Sequence, residues 1–152
     1  MGSPESHHPR APRLLMTTGS ECVVLDTSVV SILFNEADDR RYHYYQERLA
    51  GRRALLSFQT VEELLYWRYA RAWGEARALR LRDRIAEYEI VWPDQVLVHV
   101  SARLRSDLRE MGRTLDVADA WIAATALMRQ CPLASVDRDF VGIPGLPLIQ
   151  PR

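Results

Sequence analysis

Residues 119–140 read DAWIAATALMRQCPLASVDRDF, an alanine-rich helical pattern that passes within a few residues into a short apolar segment ending on an acid. Alanine is the strongest helix former, so the pattern predicts a compact helix over residues 117–129. Asp116 and Asp119 stand at its start with the spacing of an N-cap and its partner in the first turn. Residues 133–136, LASV, lack the alternation of a half-exposed strand. A continuous run of this length suits a strand covered on both faces, as in a parallel sheet. Asp137 follows that strand directly. Where helices return antiparallel to parallel strands, helix N-termini and strand C-termini share one edge, and that edge holds the ligand site. Asp119 and Asp137 are therefore expected side by side.

The same alternation extends toward the N-terminus. Further strands are predicted at residues 22–25, 54–57 and 90–92, with a fifth at 146–149. Helical patterns cover residues 60–72 and 75–88, broken near Gly74. Leu97, Val100, Leu104, Leu108 and Met111 mark another helix by steps of three or four, with Asp94 as its N-cap and Gly112 as its stop. Strands alternating with helices give an α/β fold: a three-layer α/β/α sandwich with a mostly parallel sheet of four to five strands. Residues 1–20, aperiodic and containing Pro, Ser and His, read as a disordered tail ahead of a single domain over 21–152, and Met16 is as acceptable a start as Met1.

Two more acids meet the edge condition. Asp26 ends the first strand (CVVLD), and Glu63 is expected in the first turn of the helix after the second (LLSFQTVEEL). Four carboxylates in one cleft repel and raise one another's pKa. A divalent cation resolves the conflict, and hard oxygen ligands suit magnesium or manganese, Mg2+ or Mn2+, as one ion or two. Such a site suits phosphodiester hydrolysis. Each acid also has a structural explanation alone. Asp26 can cap a following helix, Glu62 is as acidic as Glu63, Asp116 can cap its helix or stand behind Asp119, and Asp137 and Asp139 can organise a turn. The agreement of four on one edge has no such explanation.

Composition narrows the field. The formal net charge is +0, yet all 20 basic residues are arginine, and residues 40–113 hold fifteen of them against ten acids. Arginine's planar fork suits phosphate oxygens. Without a lysine, a phosphate-cradling P-loop is excluded, and so is aspartyl-phosphate chemistry on LDTS, where Ser28 replaces the second Asp. No stretch approaches the roughly 18–20 apolar residues of a membrane span, and the N-terminus lacks the apolar core of a secretory signal, so a cytoplasmic location is expected. Cys22 and Cys131 lack ligand spacing and read as separate buried thiols in a reducing compartment.

The ordered series VLDTSVV (24–30), TVEEL (60–64), DAWIAATAL (119–127) and LASVDRDF (133–140) resembles that of PIN-domain proteins, in particular VapC-type toxins, over nearly all of residues 22–149. The resemblance implies a PIN-like α/β/α fold, Asp26, Glu63, Asp119 and Asp137 as metal-binding catalytic acids, Mg or Mn as cofactor, and endonucleolytic cleavage of RNA. Thr27 and Ser135 stand where a hydroxyl can support the site, and Asp116 behind it. It also implies a homodimer and a small cognate antitoxin, for which Tyr66, Trp67, Tyr69 and Trp73 with Tyr42, Tyr44 and Tyr45 are the candidate surface unless they are core. Alternatives are a PIN-like RNA-processing nuclease without an antitoxin and a non-catalytic binding module of the same fold.

Overall fold

The apolar run Cys22–Leu25 forms the central strand, β1, with Val23 and Val24 fully buried. The computed structural model describes residues 21–36 and 39–152; the expected tail over residues 1–20 lies outside them. After β1 come α1 (Thr27–Asn35), α2 (Arg40–Leu49), β2 (Arg53–Ser57), α3 (Phe58–Ala70), α4 (Glu75–Ala86) and β3 (Glu89–Val91). They are followed by α5 (Gln95–Glu110), α6 (Val117–Arg129), β4 (Leu133–Ala134), a short 3-10 turn (Arg138–Phe140) and β5 (Leu148–Ile149). The sheet has five strands in the order β3-β2-β1-β4-β5, every neighbouring pair parallel.

Successive residues of a strand point to opposite faces, and the two cores follow that period. Val24 and Leu55 pack with Leu104 and Leu108 of α5 and Ile122, Ala123 and Ala126 of α6. Val23, Leu25 and Leu56 pack instead with Val29 and Phe34 of α1, Tyr45 of α2, Val61 and Leu64 of α3, and Leu81 of α4. The result is the expected α/β/α sandwich. Among the described residues no helix is long and apolar enough to cross a membrane.

Local structure departs from the sequence reading in two helices, α3 and α2. Helix α3 starts at Phe58, because the Ser57 hydroxyl accepts from the Gln59 N–H at 3.2 Å and caps the helix with no connecting loop. Glu63 consequently lies in the second turn, not the first. Helix α2 is unforeseen: RRYHYYQERL is so polar that Tyr45 alone is fully buried, and the adjacent aromatics hide the period. Tyr45 is accordingly core rather than partner surface.

The reading of the cysteines is overturned: Cys22 and Cys131 form a disulfide. Val24 pairs with Leu133 across β1 and β4, so the residues two before each, Cys22 and Cys131, face one another, with Cα atoms 5.5 Å apart. That separation lies within the range a disulfide spans. Register between strands 109 residues apart makes the pair, and spacing along the chain carries no trace of it.

Candidate active site at the carboxyl edge of the sheet

From β1 the chain builds outward to β2 and β3, then returns to add β4 and β5 on the other side of β1. The reversal opens a crevice between the C-terminal ends of β1 and β4, the position at which open α/β sheets bind ligands. Asp26 follows β1 directly and caps α1, and Asp137 lies just past β4. Asp119 enters from the first turn of α6 on one face of the sheet, and Glu63 from α3 on the other.

Asp26 is 6% exposed and is tied by three donors: the Thr27 N–H at 2.8 Å, the Ser28 hydroxyl at 2.9 Å and the Ser135 hydroxyl at 2.6 Å. Burial raises its pKa above the usual carboxylate value, those hydrogen bonds oppose the rise, and Asp137 adds a smaller repulsion. Ser135 in turn accepts from the Asp137 N–H at 3.0 Å, which links the ends of the crevice through one hydroxyl. The Asp137 carboxylate accepts from the Asp139 N–H at 2.8 Å and so caps the 3-10 turn.

The buried Thr27 donates its hydroxyl to Glu63 at 2.5 Å, and the Gln59 amide reaches the other Glu63 oxygen at 3.3 Å. Asp116 caps α6 through the Ala118 N–H at 2.7 Å and lies exposed. Asp119 takes no hydrogen bond among the described residues. Burial, then repulsion from Asp26, Asp137, Asp116 and Glu63, pushes its carboxyl up to about 7. Asp119 is therefore the acid on which the other three sequence-derived acids act, and Asp26 is repelled by Asp137 as well. Thr27 and Ser135 hydrogen-bond Glu63 and Asp26, and Asp116 adds to the repulsion on Asp119.

The sequence reading passed over two contributors. Ser28 bonds Asp26, and its place two residues after a strand-end acid is the local pattern that could have exposed it. Asp139, set aside in favour of Asp137, offers an oxygen in a group with Asp119 and Asp137 whose atoms all lie within 4.8 Å of one another. Tyr45 and Gln150 also bear on the site. The Tyr45 hydroxyl donates to the Ser135 carbonyl at 3.0 Å, and the Gln150 amide reaches the Ser135 and Asp137 carbonyls at 3.1 and 3.0 Å. Both arrive from distant segments, and nothing local announces them. His43 and His99 are exposed.

The donors suit a hard divalent cation. They are oxygens throughout, they repel one another, and none of Asp26, Glu63, Asp119 and Asp137 forms an ion pair with an arginine among the described residues.

Residues 23–146 match the PIN domain. The chain is 34% identical over 132 residues to ribonuclease VapC5 of Mycobacterium tuberculosis, covering 86% of this chain and 93% of that protein. The solved structure of VapBC-5 from the same organism, a member of the VapBC family of toxin–antitoxin systems, is 32% identical with a TM-score of 0.67, covering 86% of this chain and 99% of that one. VapBC2 of Rickettsia felis, solved with a DNA fragment from its promoter, reaches a TM-score of 0.74 at 21% identity, over 85% of this chain and 98% of that one.

Proposed function

The chain belongs to the PIN-domain family, and from that premise we propose that it is a metal-dependent endoribonuclease, the toxin of a toxin–antitoxin pair. One observation carries the metal site: oxygens of Asp119, Asp137 and Asp139 lie within 4.8 Å of one another, and Asp119 is pushed up to about 7 by burial and the surrounding acids, with no ion pair to an arginine among the described residues to relieve it. Asp26, Glu63, Asp119 and Asp137 are the residues that hold a magnesium or manganese ion. When bound, the ion supplies the missing counter-charge and Lewis acidity beside a phosphodiester.

The chain's own residues do the positioning. Ser28, Ser135 and the Thr27 N–H keep Asp26 aimed along the crevice. Thr27 and Gln59 hold Glu63, so that it need not reorganise when a ligand arrives. Asp119, which takes no hydrogen bond among the described residues, offers both oxygens to a ligand. Phe58 of α3 and Trp121 of α6 pack edge to face at 5.3 Å and join the helices that carry Glu63 and Asp119.

The antitoxin and a second copy of the chain are the expected protein partners, on the strength of the VapC likeness. Tyr66 and Tyr69 stand 62% and 70% exposed on α3, and a groove between α3 and α4 is lined by Val61, Leu65, Leu79 and Ile85 with Arg68 and Arg82. That surface suits a docked antitoxin segment.

The deciding experiment incubates purified protein with total cellular RNA and Mg2+ or Mn2+, beside EDTA and Asp26→Asn controls. Discrete fragments from active protein with metal alone are expected. Equal cleavage by Asp26→Asn, or cleavage unaffected by EDTA, would overturn the metal site.

A further inference from the structure

At the C-terminal end of α5 and in the loop leading to α6 lies an open recess of about 450 Å³ lined by Arg105, Ser106, Arg109, Arg113, Thr114 and Leu115. Arg105 and Arg109 stand one helical turn apart on α5, so their guanidinium groups share a face. Like charges so placed destabilise a helix. Yet among the described residues neither arginine has an ion pair or hydrogen bond to offset the repulsion. Asp107, the acid between them, is paired with Arg103 at 2.9 Å. The α5 dipole favours a cation in its last turn, which accounts for Arg109 but not for Arg105.

Arg113 joins the recess to the acid site. It donates to the carbonyls of Asp139 at 3.1 Å and Val141 at 2.9 Å, and so holds the turn that follows Asp137. Asp139 itself belongs to the carboxylate group with Asp119 and Asp137. A polymer with its scissile phosphate at the acids thus has a path into the recess. An RNA strand places a negative phosphate on each nucleotide along that path, whereas the guanidinium fork binds two phosphate oxygens at once.

We propose that Arg105, Arg109 and Arg113 form a subsite for backbone phosphates of the RNA chain flanking the cleaved bond. The proposal rests on the ribonuclease reading above. It also reconciles a neutral chain with a polyanionic substrate: the charge is arranged locally, with acids at the cut and, among the described residues, arginines without a carboxylate partner beside it.

The test uses Arg105→Gln/Arg109→Gln in the full chain carrying Asp26→Asn, so that RNA is bound without being cut. Arg113 is left intact because it supports the turn. Binding of a labelled single-stranded RNA oligonucleotide is followed across salt concentrations. Loss of two phosphate contacts should make the slope of log K against log salt shallower by roughly 1.4, at about 0.7 per contact for single strands. The control pair Arg77→Gln/Arg80→Gln on α4, with the same loss of charge, should leave the slope near that of the parent. An unchanged slope in the first variant, or equal losses in both, overturns the subsite. So does selective loss of binding to a polyglutamate peptide while RNA binding persists, which assigns the recess to an acidic protein partner. Metal-dependent RNA cleavage by wild-type protein, measured alongside, separates the two failures: its absence sinks the nuclease reading, and its presence with an unchanged slope sinks only the subsite.

Discussion

Asp119 concentrates the site's electrostatics in one carboxyl. Its pKa, raised from 3.8 to about 7 by burial and then by four neighbouring acids, means that the folded protein holds a proton the unfolded chain has released. Metal-free stability must therefore fall as pH rises from about 4 to about 7, then level off. Asp119→Asn removes this dependence. Solvent screening at this half-buried carboxyl discounts the charge penalty to about 1 kcal/mol, so in a chelator at pH 8 the variant should melt roughly 2–4 °C above wild type. Below pH 4 the difference should vanish, while RNA cleavage is lost. Calorimetry at both pH values checks it, and an equal difference at each would point to packing instead of charge. Thr27 acts by position. Thr27→Val deletes the 2.5 Å bond to Glu63 at a buried site and should weaken Mn2+ binding by about 10–100-fold, whereas Thr27→Ser preserves it. Titration calorimetry with Mn2+ distinguishes the two.

Among the helices, α6 carries both a packing and a chemical burden. Ala120, Ala123, Ala124 and Ala126 are all fully buried, so the helix lies close against its neighbours, and Asp119 rides on its first turn. Ala123→Leu has no room for its added carbons. It should cost about 1–3 kcal/mol in urea unfolding and, by displacing α6, should also weaken Mn2+ binding. Destabilisation with unchanged metal affinity would show that the acid is held independently of its helix. On the opposite face, α2 contributes by bringing Tyr45 under the Ser135 carbonyl, a role invisible in its polar sequence.

At the scale of the whole molecule, the fold separates stability from chemistry along the strands. The Cys22–Cys131 bond ties β1 to β4 at their N-terminal ends, and the acids lie at their C-terminal ends. Cross-linking across 109 residues removes much of the unfolded chain's freedom. Cys22→Ser/Cys131→Ser, or reduction with dithiothreitol, should lower unfolding stability by about 2–4 kcal/mol while the protein retains metal-dependent RNA cleavage. Chemical denaturation with and without reductant, beside the cleavage assay, checks both halves. Loss of cleavage in a still-folded reduced protein would show that the far edge is coupled to the site.

Periodicity and end signals alone determined the five strands, helices α3 to α6, the α/β class and the candidate acids, but not α2. Continuous apolar runs mark strands covered on both faces, and Asp26 and Asp137 adjoin such runs whatever the strand order. Asp119 likewise follows from a helix start legible in VADAWIAATAL. Tertiary structure decided what depends on register and topology. It paired Cys22 with Cys131, capped α3 early enough to move Glu63 into the second turn, and drew Tyr45, Gln150 and Asp139 to the crevice. Propensity and capping act over a few residues and leave a local pattern. Contacts between segments a hundred residues apart exist only once the sheet has chosen its neighbours.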